Sequence, residues 1–144
     1  VIEAQSHSIG VTYMALEFEK ITFLKIYTGE DVMLDDQPLY KAIIEEARRL
    51  QLAGGTVIKG IEGYATKLRG VGRAINYFVS GNDNYPIIIE IVDTREKLET
   101  ILPYLEKNVT NGLVIMEETE YLVTDYTRKR KEEREAILAH QKEM

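Results

Sequence analysis

Apolar and polar residues alternate along residues 21–28, whose sequence is ITFLKIYT. This two-residue period predicts a β-strand with one apolar face and one mixed face. The segment GEDVMLDDQ is expected to form a loop, and Pro38 then occupies a position typical of the first turn of a helix. Apolar residues of this helix recur with helical spacing at Leu39, Ile43, Ala47 and Leu50.

Two further strands are predicted on either side of a long loop. Gly54 and Gly55 are expected to end the helix, and TVIKGI then forms the second strand. The third strand is PIIIEIV at residues 86–92, which is apolar enough to be mostly buried. Glu90 is the charged residue in this strand, and we expect it to pair with a lysine or arginine of a neighbouring strand or subunit.

The second half of the chain repeats the order of the first. Asp93 and Glu96 have the spacing of a capping box at the start of a second helix. Pro103 is expected to bend or interrupt that helix. Asn-Gly at 111–112 ends it, LVIMEE forms a fourth strand, and EYLVT extends that edge or adds to it. The order βαββαβ predicts an α+β, ferredoxin-like sandwich, in which an antiparallel sheet carries both helices on one face.

The other face of this sheet is expected to be too apolar to remain in water. Its candidate residues are Leu24, Ile26, Ile88, Val92, Val114 and Met116. Association of several copies through their sheets would bury such a face, so the pattern predicts an oligomer.

The chain divides into three predicted segments: an N-terminal extension at 1–20, a core domain at 21–124 and a charged helical tail at 125–144. Met14 followed by ALEFEK is typical of a natural start, so residues 1–13 are interpreted as an added or upstream segment. The tail offers little apolar surface, which favours a solvated helix over a binding arm.

Composition narrows the classes of function. With 144 residues the chain is long enough for one domain with its own core, and its lack of cysteine excludes disulfides and thiolate chemistry. A net charge of −6 argues against nucleic-acid binding. Because no long apolar run or signal-peptide pattern is present, a cytoplasmic protein is expected. The core lacks histidine, the usual general base, so we predict a binding protein and not an enzyme.

The segment AGGTVIKGIEGYATKLRGVGRA, residues 53–74, carries six of the ten glycines. The loop that it opens runs for about twenty residues, whereas a simple hairpin needs about two to five. Its glycines predict that residues 65–84 are mobile without a ligand. Lys67, Arg69 and Arg73 offer positive charge to an anionic ligand or partner.

FLKIYTGED, PLYKAIIEEARRLQLAGGTVIKGIEGY, PIIIEIVDTREKLETILPYLEK and GLVIMEE together resemble the PII-like signalling proteins. They are most similar to the branch of that family filed as a domain of unknown function, and the resemblance covers residues 21–124. It implies a homotrimer with its three sheets facing inward and adenine-nucleotide binding in the clefts between subunits. It also implies that the long loop is the T-loop, which docks onto a partner such as a membrane transporter.

The resemblance also implies which residues bind the nucleotide. Gly63 and Tyr64 match the Gly-aromatic pair at the base of the T-loop, where the nucleotide passes. Thr56 and Val57 in strand 2 and Val92 in strand 3 match the edges that hold the adenine. The remaining predicted contacts are Arg69, Arg73 and Gly112.

One departure from the family pattern bears on the choice of ligand. Many PII proteins grip the polyphosphate with a Gly-rich, lysine-bearing loop before the fourth strand, whereas this chain has only VTNG there. We therefore expect AMP or ADP to bind at least as tightly as ATP, with cyclic AMP as a further candidate. The tyrosine that some PII proteins have uridylylated has no clear match, because the surroundings of Tyr77 differ.

Two alternative interpretations remain open. A metal-tolerance trimer of the CutA type has the same architecture, but it lacks GIEGY and the long cationic loop. Acylphosphatases share the βαββαβ order, but the first loop here is acidic and lacks the arginine that would hold phosphate. Glu30 and Asp31 are interpreted as a turn or cap cluster and not as metal ligands.

Overall fold

The computed structural model describes residues 15–64 and 85–144. In chain order its elements are β1 (Phe18–Gly29), β2 (Met33–Leu34), β3 (Gln37–Pro38), α1 (Leu39–Arg49), β4 (Gly54–Lys59), β5 (Pro86–Asp93), α2 (Arg95–Leu98), a 3₁₀ turn (Glu99–Ile101), α3 (Leu102–Asn108), β6 (Leu113–Leu122) and α4 (Asp125–Glu143). None of the helices in these ranges is both long and apolar enough to cross a membrane.

The main sheet has four strands in the order β4-β5-β1-β6. β5 pairs antiparallel with both β1 and β4, with Ile89 opposite Ile26 on one side and Val57 on the other. This order and pairing are those of a ferredoxin-like sandwich and confirm the predicted fold class. The segment predicted as a plain loop also contains a small ribbon of β2 and β3, which turns at Asp35 with a φ of 53°.

The core lies between one face of this sheet and the helical segments from α1 to α3. Its buried side chains are Leu24 and Ile26 of β1, Ile87, Ile89 and Ile91 of β5, and Leu39, Ile43, Leu98, Ile101 and Leu105 of the helical segments. Burying each of these side chains contributes about 1.5–3 kcal/mol. The prediction that Leu24, Ile26, Val114 and Met116 lie on the opposite face was therefore wrong, since the first two are fully buried and the others pack against this cluster.

The opposite face of the sheet is the one that α1, α2 and α3 leave uncovered. On it, Phe23, Lys25 and Tyr27 of β1 lie opposite Val92, Glu90 and Ile88 of β5. Ile88 and Val92 are half-buried on this face, as predicted. Lys25 lies opposite Glu90 across the two strands, but its Nζ atom lies 3.5 Å from the carboxylate of Glu117, so the predicted ion pair of Glu90 stays a prediction. We call this surface the open face.

The end of α1 differs from the prediction. The helix begins directly after Pro38, as expected, but it ends at Arg49, and Gln51 takes a left-handed conformation with a φ of 59°. Gly54 and Gly55 do not end the helix, because both are strand residues that pair with Val92 and Ile91. A glycine pair is typical of a helix end, but it also occurs in strands where another part of the protein packs close to the backbone.

The start of the second helical segment also differs from the prediction. Its cap is Thr94, whose side chain accepts a hydrogen bond from the backbone N–H of Lys97. Asp93 is instead 1% exposed, and its carboxylate accepts the backbone N–H groups of Ala53 at 3.0 Å and Thr94 at 2.7 Å. The predicted interruption at Pro103 is confirmed, since a 3₁₀ turn separates α2 from α3 just before it.

The described residues form two compact units, of which the larger comprises residues 21–119 and the smaller the two terminal segments. In the smaller unit, Val123 donates its backbone N–H to the carbonyl of Glu17 at 2.8 Å. β1 begins at Phe18, three residues inside the segment predicted as an extension. EYLVT extends the fourth strand, in agreement with one of the two predicted alternatives.

Helix α4 is anchored within the smaller unit by polar contacts. Arg128 donates to Glu17 at 3.2 Å, and Lys131 donates to Glu19 at 3.0 Å. The hydrogen bonds from Lys131 and then Tyr121 lower the pKa of Glu19, while burial and then the bond to Glu19 raise the pKa of Tyr121. The contact with Glu19 also raises the pKa of Lys131.

Candidate functional site

The ends of three adjacent strands meet at the base of the long loop. Lys59 ends β4, Glu30 follows β1, and Tyr85 precedes β5. The Nζ atom of Lys59 lies 3.2 Å from the Glu30 carboxylate and 4.4 Å from the centroid of the Tyr85 ring. Glu30 also donates its backbone N–H to the carbonyl of Tyr85 at 3.0 Å. We call Glu30, Lys59 and Tyr85 the loop-base cluster.

The glycines of GIEGY let the chain pass close to Pro86. Gly60 donates its N–H to the Pro86 carbonyl at 2.8 Å, and a Cβ atom at Gly60 would lie 2.7 Å from the Pro86 ring. A Cβ atom at Gly63 would lie 3.2 Å from the same ring. Because a proline ring cannot move aside, side chains at these two positions would push the loop away from β5. The motif therefore holds both ends of the loop together.

The predicted adenine contacts on β4 lie on an exposed strand. β4 is last in the sheet order, so its outer side has no strand partner in the part of the chain that the structure describes. Val57 and Ile58 keep 39% and 41% of their surface exposed. The main-chain N–H and C=O groups of such an edge are available to a ligand or to another chain.

The aromatic residue at the loop base is also exposed. Tyr64, which follows Gly63, is 88% exposed, and Ile61 is 93% exposed. An aromatic ring in this position offers a flat apolar surface to a planar ligand, and its hydroxyl offers a hydrogen bond.

Val92 lies at the opposite end of β5 from these residues. It pairs with Gly54, six residues along the strand from Pro86. At about 3.3 Å per residue this is a separation of about 20 Å. One protomer therefore does not bring Val92 together with Gly63 and Tyr64, whereas Thr56 and Val57 lie between the two ends.

The position of Gly112 has a structural reason. Its φ is +152°, and a Cβ atom there would lie 2.3 Å from the carbonyl oxygen of Tyr27. The neighbouring Asn111 carbonyl accepts a hydrogen bond from the Thr28 hydroxyl at 3.0 Å. The glycine that the sequence suggested as a nucleotide contact is thus required by the close approach of β1.

Some of the predicted features lie outside the described residues. These are Arg69, Arg73, Lys67 and Tyr77, together with the predicted mobility of residues 65–84. Glu30 and Asp31 form a turn after β1, as expected, and Val32 closes it with a hydrogen bond to Gly29 at 3.3 Å. Among residues 15–64 and 85–144, no group of three His, Cys, Asp or Glu residues is placed to hold a metal ion.

The loop-base cluster was not predicted from the sequence, in which Glu30 was interpreted as a turn residue. Lys59 falls at the end of the predicted strand, directly before the glycines, and this position was the available signal. Its partners come from two other segments of the chain, so the cluster becomes visible only when the strand order is known.

Comparisons with known proteins agree with the motifs. The family model DUF190, described as Uncharacterized ACR, COG1993, matches residues 21–121. A UPF0166 protein of Aquifex aeolicus is 31% identical over 103 residues, which cover 72% of this chain and 94% of the relative. A UPF0166 protein of Methanocaldococcus jannaschii is 38% identical over 98 residues, which cover 67% of this chain and 87% of the relative.

Solved structures give a more distant likeness. CPII, a nitrogen regulatory PII-like protein from Thiomonas intermedia K12 solved with ADP, AMP and bicarbonate, is similar with a TM-score of 0.47 and 12% identity. That likeness covers 75% of this chain and 97% of CPII. The family match itself spans the core from β1 into β6 and includes every motif on which the resemblance was based. The chain therefore belongs to the DUF190 family, the branch of unknown function that its motifs predicted.

Proposed function

We propose that this protein is a PII-like regulator that binds an adenine nucleotide at the base of its long loop. The observation that carries the proposal is the course of the chain after β4. An exposed edge strand runs directly into GIEGY, whose glycines are held against Pro86. This arrangement offers main-chain donors and acceptors for a base and the glycine-lined backbone and Tyr64 ring for the rest of the nucleotide.

The site is completed by a second copy of the chain. The loop base and Val92 lie about 20 Å apart along β5, which is too far for one nucleotide to contact both within a protomer. A cleft between neighbouring subunits would place Val92 of one copy near the loop base of the next. The homotrimer implied by the family resemblance supplies such clefts.

The open face supports an assembly of this kind. Phe23, Tyr27, Ile88 and Val92 leave it apolar, with Lys25 and Glu90 facing each other across β1 and β5. An exposed apolar face of this kind on a soluble protein marks an interaction surface. Packing three such faces around one axis would remove them from water.

Signalling follows from the loop itself. Bound nucleotide would contact GIEGY, and through it the segment that continues to residue 84. A change of ligand at the base thereby changes the surface offered to a partner such as a membrane transporter. The protein acts by binding and not by catalysis.

A trimer is expected by light scattering at micromolar concentration. Ile88→Asp should reduce it to monomers or prevent folding, because a carboxylate buried in an apolar interface without a partner is strongly destabilising. Met33→Asp is the matched control, since Met33 is 54% exposed in the β2–β3 ribbon. A stable wild-type monomer would contradict both the trimer and the shared nucleotide site.

Calorimetry should detect adenine nucleotides below millimolar concentration, with AMP or ADP at least as tight as ATP. A charge-assisted hydrogen bond to phosphate contributes about 1.5–3 kcal/mol, so the lack of a lysine-bearing loop before β6 removes most of the advantage of ATP. The double variant Arg69→Ala with Arg73→Ala should bind about tenfold more weakly, equivalent to about 1.4 kcal/mol.

A matched control for this experiment removes two positive charges elsewhere. Arg48 and Lys107 are exposed on α1 and α3, so Arg48→Ala with Lys107→Ala should leave affinity unchanged. Absence of binding by AMP, ADP, ATP and cyclic AMP would end the proposal. ATP binding a hundredfold more tightly than AMP would overturn only the ranking.

A further inference from the structure

One side of helix α4 carries a regular stripe of exposed residues. The apolar members are Tyr126 and Ile137, which are 72% and 58% exposed. The polar residues Arg130, Glu133 and His140 share this side of the helix, so the stripe is charged at its centre. We call this set the α4 stripe: Tyr126, Arg130, Glu133, Ile137 and His140.

The side of α4 opposite this stripe is already in use. Arg128 and Lys131 make the ion pairs to Glu17 and Glu19 that anchor the helix. At about 100° per residue, these two side chains project about 200° and 140° around the helix from Tyr126. The α4 stripe thus lies on the side that these anchoring contacts leave uncovered.

The charges within the stripe are self-complementary. Arg130 and Glu133 lie at its centre, 3.2 Å apart within one helix. If two copies of α4 pack antiparallel about the point midway between these residues, Arg130 of each faces Glu133 of the other. The same axis places Tyr126 opposite Ile137. A parallel pair in register would instead place like charges at the same level, which is destabilising.

The helix also lies outside the region that defines the family. The family match ends at residue 121, whereas α4 begins at Asp125. The stripe therefore lies outside the part of the chain that the family match covers.

We propose that the α4 stripe binds the α4 stripe of a second copy of this chain in antiparallel orientation. The overlap of about twelve residues is short, so a single pair is weak. If the protein is a trimer, as proposed above, three such pairs acting together would join two trimers into a hexamer, because linked contacts reinforce one another.

Charge-reversal variants of the full-length protein test the pairing by light scattering. Wild type should reach twice the mass of its basic assembly as concentration rises. Arg130→Glu and Glu133→Arg should each weaken this doubling at least tenfold, because each leaves only like charges at the crossing point. An equimolar mixture of the two variants should restore the doubling in mass. Neither variant can re-form the ion pair within its own helix, so recovery requires contact between two chains.

The outcomes separate this proposal from the trimer. If wild type does not double in mass, or if the mixture fails to recover doubling, the α4 pairing is overturned whatever the basic assembly is. The mass of each single variant at low concentration reports the basic assembly independently. Circular dichroism of both variants verifies that α4 remains folded.

Cysteine cross-linking tests the orientation, because the natural chain has no cysteine. A mixture of Tyr126→Cys and Ile137→Cys proteins should form a mixed disulfide, since an antiparallel pair brings these positions together. Ile137→Cys alone should not cross-link, and Glu135→Cys, on the opposite side of the helix, is the control. Efficient self-linkage of Ile137→Cys would overturn the antiparallel arrangement.

Discussion

Replacing Gly112 with alanine is expected to lower the free energy of unfolding by about 2–5 kcal/mol. A Cβ atom at this position would lie 2.3 Å from the carbonyl oxygen of Tyr27, which belongs to the backbone of the central strand β1. The φ of +152° adds strain for any residue with a side chain. Relief requires a shift of β6 relative to β1, and urea unfolding monitored by circular dichroism measures the cost.

Gly55→Ala is the matched control for this variant. Gly55 also lies in a strand of the same sheet, but its added Cβ atom would meet the terminal Cδ1 methyl of Ile44 at 3.1 Å, which a small side-chain movement relieves. Gly55→Ala should lower the free energy of unfolding by less than about 1 kcal/mol. Alanine reduces the conformational entropy of the unfolded chain, which offsets part of the cost in the folded state. Equal effects of the two substitutions would contradict the backbone contact at Gly112.

The second large effect is expected at Asp93. Its buried carboxylate accepts backbone N–H groups from Ala53, before β4, and Thr94, before α2. Asp93→Ala should lower the free energy of unfolding by about 2–4 kcal/mol, because the two hydrogen bonds that tie these backbone N–H groups to the buried side chain are lost. Urea unfolding of the variant gives the value directly.

Glu96→Ala serves as the control for Asp93 and also tests the rejected capping box. Glu96 is exposed, and the helix is capped by Thr94 and not by the two acids. Glu96→Ala should therefore lower the free energy of unfolding by less than about 0.5 kcal/mol. A cost equal to that of Asp93→Ala would restore the capping box that the spacing of the two acids predicted. The cost of Asp93→Asn in free energy of unfolding should fall between those of Asp93→Ala and Glu96→Ala, since the asparagine amide keeps one acceptor oxygen.

The order of elements could be predicted because each has a strong local signal. Pro38 directly precedes α1, Pro103 follows the interruption of the second helical segment, and the alternation in β1 identifies it as a strand. The face of β1 that enters the core could not be decided in the same way. ITFLKIYT is apolar at Leu24 and Ile26 on one side and at Phe23 and Tyr27 on the other, so only the packed helices select between them.

The candidate site was predictable only in part, for a related reason. Gly63 and Tyr64 belong to a local motif, and Gly63 lies close enough to Pro86 that an added Cβ atom would be 3.2 Å from its ring. Lys59, Glu30 and Tyr85 carry no joint pattern in the sequence, since they meet only when β4, β5 and β1 are adjacent. The separation of Val92 from the loop base also depends on strand register, which periodicity does not specify.

The contact of Gly63 with Pro86 has an evolutionary consequence. Gly60 and Gly63 on one side of the segment and Pro86 on the other already lie close together. The sheet therefore does not depend on the sequence between them. Doubling the length of such a segment adds only about 0.6 kcal/mol of closure entropy. Its residues can therefore diverge, lengthen or shorten at little thermodynamic cost to the sheet. Related proteins with the same scaffold could in this way acquire different targets by exchanging a single insert, much as antibodies exchange their hypervariable loops.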